Sequence, residues 1–140
     1  MYTLEFDGAC EPINPGGIPA YGWALKRNNR IVKQDGYRVP ESLFCFQRTN
    51  NVAEFYAVIM GLGALNPIEK TDELVIMGDS KLVINCVSGK WKTKAAHLIP
   101  LRDRAQFLIN ELVDYGWTIS LQWIPREMNA YADSLSKQYC

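Results

Sequence analysis

The chain has 140 residues, 48% of them apolar and 21% charged, a composition that suits one globular domain and excludes a disordered chain. Fifteen basic residues balance fifteen acidic ones, which argues against a strongly basic, non-specific nucleic-acid binder. No apolar run approaches a membrane span and Met1 to Glu5 carry no leader features, so the expected location is cytoplasmic, with no membrane partner.

Tyr2 to Asp7 alternates, with Leu4 and Phe6 on one face and Thr3, Glu5 and Asp7 on the other, as a half-buried strand does. Glu11 to Gly17 is dense in turn residues and reads as a loop. Ala20 to Lys26 and Ile31 to Val39 read as strands joined by a turn at Arg27-Asn28-Asn29-Arg30, so the first three strands form an antiparallel meander. A loop is expected from Pro40 to Asn50.

Asn51 is a candidate cap for a helix in which Phe55, Ile59 and Leu62 recur at helical spacing, with Tyr56 and Gly63 beside them. Glu73 to Gly78 reads as a short buried strand. Ser80 can cap a short helix reaching about Val87. A further helix spans about Pro100 to Asp114, with Leu101, Ala105, Leu108, Leu112 and Val113 facing the core. Trp117 to Trp123 alternates again, and Asn129 is a candidate cap for a last helix carrying Ala132, Asp133 and Leu135. The order βββαβααβα predicts an α/β fold, a mixed sheet with helices packed on its faces.

Cys10, Cys45, Cys86 and Cys140 include no CxxC pair, so reduced thiols are expected. His97 is the only histidine, so no zinc spacing is present, and its own role is read as packing or solvated.

The acids carry more information. Asp7 is placed at the end of the first strand and Asp79 at the end of the fourth, where ligand sites of α/β sheets collect. Glu54 is expected in the first turn of its helix and Asp133 near the start of the last one. Such carboxylates repel one another unless they bind protons or a cation. Oxygen ligands without nearby His or Cys select Mg²⁺ or Mn²⁺, and two such ions can clamp the attacking and leaving oxygens of a phosphoryl displacement. Spacing alone does not bring the four acids together.

Four blocks in order then match a known family. Asp7-Gly8-Ala9-Cys10 with Asn14-Pro15-Gly16-Gly17, Thr49-Asn50-Asn51-Val52-Ala53-Glu54, Gly78-Asp79-Ser80, and Trp123 to Asn129 with Ala132-Asp133 together resemble a type 1 ribonuclease H from Asp7 to about Leu135. The resemblance implies one ribonuclease H domain over residues 1–140, with a five-stranded mixed sheet flanked by helices. It implies endonucleolytic cleavage of the RNA strand of RNA–DNA hybrids, leaving 5′-phosphate and 3′-hydroxyl ends. Asp7, Glu54, Asp79 and Asp133 would be the catalytic carboxylates and hold two Mg²⁺ ions, with Mn²⁺ a substitute. Asp7 would bridge both ions, and Glu54 would also contact a ribose 2′-hydroxyl.

The same resemblance assigns substrate contacts to Gly8, Cys10, Asn14, Thr49, Asn50, Asn51, Ser80, Lys81 and Trp91. Asn50 and Asn51 would read the minor groove, and Thr49 would bind a DNA-strand phosphate. These contacts sense shape and sugars, so little base specificity is expected. Residues 81 to 104 hold six basic residues (Lys81, Lys90, Lys92, Lys94, Arg102 and Arg104) against Asp103, a local charge of +5, and Trp91 could stack within that stretch.

Two departures from the family stand out. The segment from Gly89 to Leu101 is too short for the basic protrusion of many members, as in the subgroup with a shortened handle, so binding should be weak and salt-sensitive. The loop Pro125-Arg126-Glu127-Met128 lacks the histidine many relatives carry, which makes Arg126 and Glu127 candidate auxiliaries. No obligate protein partner is evident and a monomer is expected. Two alternatives stay open: another nuclease on the same fold, such as a resolvase or 3′–5′ exonuclease, or a hybrid-binding module without chemistry.

Overall fold

A computed structural model describes residues 1–40, 48–65 and 71–140; Cys45 and positions 41–47 of the expected loop lie outside them. Strands β1 (Tyr2–Glu11), β2 (Ile18–Arg27) and β3 (Arg30–Arg38) pair as an antiparallel meander. Helix α1 (Asn50–Gly63) precedes β4 (Glu73–Gly78). Helix α2 (Lys81–Val87), a 3₁₀ turn at Ala96–Leu98 and α3 (Ile99–Asp114) lead to β5 (Thr118–Trp123). A second 3₁₀ turn at Arg126–Met128 and α4 (Ala130–Lys137) follow. The five strands form one mixed sheet in the order β3-β2-β1-β4-β5, with β4 parallel to both β1 and β5.

The hairpin turn falls where the polar run predicts it. Asn28 and Asn29 adopt φ values of 52° and 63°, the left-handed region that a two-residue hairpin needs and that asparagine tolerates. The core lies between sheet and helices. Leu4, Phe6, Val52, Phe55, Leu62, Leu74, Ile76, Val83 and Leu101 are fully buried. Glycines let the layers approach. A methyl on Gly8 would stand 2.3 Å from the backbone nitrogen of Glu54 in α1, and one on Gly22 would stand 2.6 Å from Leu135 Cβ in α4. The two helices thus press on the sheet at its centre.

Several local expectations need correction. β1 continues past Asp7 to Glu11, because β2 pairs with it as far as Glu11–Ile18. Asp7 therefore sits in mid-strand, but the parallel ladder to β4 stops at Glu5–Met77, so Asp7 still emerges at the edge of the parallel part. Thr49, not Asn51, caps α1: its backbone is extended and its hydroxyl accepts from Val52 N at 3.3 Å. That start places Glu54 in the second turn. Gly63 and Val113 are exposed, since each lies at the edge of its helix's apolar face. Trp123 is 41% exposed at the end of β5, its indole turned to donate to the Asp79 carbonyl. Ser80 caps α2 as expected, accepting from Val83 N at 3.2 Å.

Candidate active site

Each carboxylate arrives from a different element. β1 supplies Asp7, the residue after β4 supplies Asp79, α1 supplies Glu54 and α4 supplies Asp133. Asp7, Glu54 and Asp79 each offer an oxygen, and these oxygens lie within 4.8 Å of one another. They line an open cavity of about 250 Å³, shared with Asp133, Asn14, Asn50, Arg126 and Lys137. Asp133 stands beside the trio. Its carboxylate lies 3.4 Å from Lys137 Nζ and 3.9 Å from an Arg126 guanidinium nitrogen.

Electrostatics separate Asp7 and Glu54 from Asp133. Burial, reinforced by a hydrogen bond with Asp133 and by the charges of Asp79 and Glu54, pushes Asp7 up to about 9. Burial and the nearby Asp79 push Glu54 up to about 8, against a hydrogen bond from Ser80 that lowers it. Burial also acts to raise Asp133, but the bond with Asp7 and the charges of Lys137 and Arg126 outweigh it and leave that group below its ordinary value. Two buried carboxyls packed against a third are a site short of positive charge. That donor set, all hard oxygen with no nitrogen or sulfur ligand among the three, suits a hard divalent cation.

The residues around the trio hold it in place. Gly8 lets α1 lie on β1, which carries Glu54 to Asp7. Cys10 is buried, and its thiol donates to the carbonyls of Ile13 and Arg48 at 3.3 Å each, so it ties the cavity's loop wall together. Asn14 and Asn50 bond reciprocally: Asn14 Nδ2 donates to Asn50 Oδ1 at 2.8 Å, and Asn50 N donates to Asn14 Oδ1 at 3.2 Å. Lys81 Nζ rests 4.9 Å from the ring centre of Trp123.

Thr49, Asn51 and Trp91 line a second, larger cavity of about 650 Å³ with Lys90, Lys92, Lys94 and His97. The start of α1 separates the two cavities. His97 is exposed there, in keeping with a solvated role. Glu127 is exposed and forms no wall of the carboxylate cavity.

Three neighbours were not anticipated. Ser136 Oγ is fully buried and donates to Asp133 O at 2.8 Å, with Asp7 Oδ2 at 3.4 Å. Lys137 follows Asp133 at i+4, a spacing legible in the sequence. Asn129 stands at the cap position of α4 but makes no side-chain cap; it points inward instead.

A family model described as reverse transcriptase-like matches residues 23–139. The bifunctional protein Rv2228c of Mycobacterium tuberculosis is 41% identical over 137 residues, which is 96% of this chain and 34% of that protein. Ribonuclease HI of Halobacterium salinarum is 36% identical over 134 residues, 95% of this chain and 61% of that one. The crystal structure of RNase H1 from H. salinarum superposes with a TM-score of 0.80 at 32% identity, covering 98% of this chain and 95% of that one. The chain thus spans about a third of the length of the mycobacterial relatives it matches.

Proposed function

The chain belongs to the type 1 ribonuclease H family, and we propose on that footing that it hydrolyses the RNA strand of RNA–DNA hybrids. One observation carries this reading: three carboxylates from β1, α1 and the end of β4 converge within 4.8 Å in an open cavity. Asp7, Glu54 and Asp79, with Asp133 alongside, would hold two Mg²⁺ ions. When bound, the ions supply activation of water and stabilisation of the leaving oxygen in a phosphoryl displacement, which leaves 5′-phosphate and 3′-hydroxyl ends.

The chain's own groups do the rest. Asp7, Glu54 and Asp79 face one another across the cavity, while Lys137 and Arg126 hold Asp133 beside them. Asn14 and Asn50 lock each other at the cavity rim and present their remaining polar atoms toward the hybrid's minor groove. Thr49 and Asn51 face the neighbouring basic cavity, where Lys90, Lys92, Lys94 and Trp91 would take the DNA strand. Two cavities on either side of the helix start suit a two-stranded substrate. Between α2 and α3 the connection holds only a 3₁₀ turn, consistent with the subgroup that has a shortened basic handle. Residues 1–140 are read as a single such domain, acting as a monomer in the cytoplasm. Among the described residues no helix is long and apolar enough to cross a membrane.

The test is cleavage of strand-labelled RNA–DNA hybrid, RNA duplex and DNA duplex, each with Mg²⁺ and with chelator. Metal-dependent cutting confined to the RNA strand of the hybrid is the expected result. Cutting of the DNA duplex, or binding of hybrid without cutting, overturns it in favour of another nuclease or a binding module.

A further inference from the structure

Asn129 is fully buried, 0% exposed, although the local sequence offers it as a surface cap. Its amide nitrogen donates to Phe6 O at 2.9 Å and to Asp79 Oδ1 at 3.4 Å. Its own carbonyl oxygen is buried and has no hydrogen-bond partner among the described residues. The two acceptors decide which way round the amide sits. Turned over, Asn129 Oδ1 would face Phe6 O and Asp79 Oδ1, three acceptors with no proton between them.

The observed orientation keeps both donor bonds and leaves the carbonyl oxygen as the one unsatisfied atom of the side chain. Both bonds run to the carboxylate site. Phe6 immediately precedes Asp7, and the Asn129 backbone carbonyl accepts from Asp133 N at 3.0 Å. One residue is therefore bonded to the backbone before Asp7, to the carboxylate of Asp79 and to the helical turn that carries Asp133. Trp123 Nε1 meanwhile holds the Asp79 carbonyl at 3.0 Å, so Asp79 is held at both its backbone and its carboxylate.

We propose that Asn129 is a positioning residue of the carboxylate site, its amide setting the Asp79 carboxylate at a fixed place relative to Asp7. This rests on the reading of the acidic trio as a cation site. Alanine cannot donate, aspartate is an acceptor, and glutamine sets its amide one methylene farther from the backbone. None of the three supplies both donors from that position.

The experiment compares wild type with Asn129→Ala by Mg²⁺ calorimetry on metal-free protein, alongside kcat and KM on a hybrid. The expected result is Mg²⁺ binding weaker by about 10–100-fold, the usual effect of losing a partner that orients a ligand. kcat falls with it, while KM for the hybrid is unchanged. A purely structural role would lower the melting temperature and leave Mg²⁺ affinity as in wild type, and that result overturns the proposal.

Should the variant not fold, the side-chain amide resonances of Asn129 are compared by NMR in metal-free wild type and Asp79→Ala. They are expected to differ because the charged acceptor is gone, and unmoved resonances overturn the proposal. A wild type that binds no Mg²⁺ defeats the cation reading by itself. The resonance comparison needs no metal, so it still decides whether Asn129 holds Asp79.

Discussion

Lys137 Nζ stands 3.4 Å from Asp133 Oδ2, one helical turn along α4, and Arg126 approaches the same carboxylate at 3.9 Å. Asp133 is thus neutralised by the protein's own cations, whereas Asp7, Glu54 and Asp79 are left facing one another. Any divalent ion that uses Asp133 competes with Lys137. Solvent-exposed ion pairs are worth about 0.2–1 kcal/mol, so Lys137→Ala should tighten Mg²⁺ binding by up to roughly fivefold. Calorimetry without substrate checks this, and weaker binding in the variant would contradict it.

Asp79→Asn removes a carboxylate at nearly equal volume. Cleavage should fall by more than the roughly 10–100-fold that loss of an orienting partner costs. The metal-free protein should melt no lower than wild type, because one of the mutually repelling charges is gone. Thermal melting in chelator, set beside a hybrid cleavage assay, measures both effects.

Stability of the metal-free protein should fall as pH rises. Asp7 moves from an ordinary value of 3.8 to about 9, and Glu54 from 4.5 to about 8, chiefly through burial. Between those limits the folded chain keeps protons that the unfolded chain has lost, so the two groups stabilise the fold at mildly acidic pH and lose that contribution toward pH 8–9. Asp133 has the opposite sign, since its lowered value makes it stabilising above the unfolded range and costs stability only in stronger acid. Melting curves in chelator should therefore decline from about pH 5 to about pH 9, and Mg²⁺ should raise the melting temperature more at the alkaline end. A flat profile in chelator would count against the burial of Asp7 and Glu54.

Gly8→Ala forces a methyl to within 2.3 Å of the Glu54 backbone nitrogen and 2.5 Å of the Ala53 carbonyl carbon. Both are backbone atoms, so α1 itself has to move away from β1. Overpacking of this kind costs about 1–3 kcal/mol, enough to lower the melting temperature by several degrees. Because Glu54 moves with the helix, hybrid cleavage should drop more than stability explains. Activity measured well below the melting point separates the two.

Residue order alone carried the strand alternation, the Asn28–Asn29 turn, the Ser80 cap and the four blocks that mark the family. All of these are local: periods of 2 and 3.6, left-handed turn residues, and motifs a few residues long. Tertiary structure decided what those residues touch. Asn129 satisfies the local pattern of a helix cap, yet its side chain bonds Phe6, 123 positions away. Likewise, the Asp133–Lys137 spacing is legible in the chain, but the convergence of Asp7, Glu54 and Asp79 from three separate elements is not. Sheet register and the packing of α1 and α4 through Gly8 and Gly22 set those distances. A local pattern specifies which face a side chain occupies, but only the assembled layers specify what meets it there.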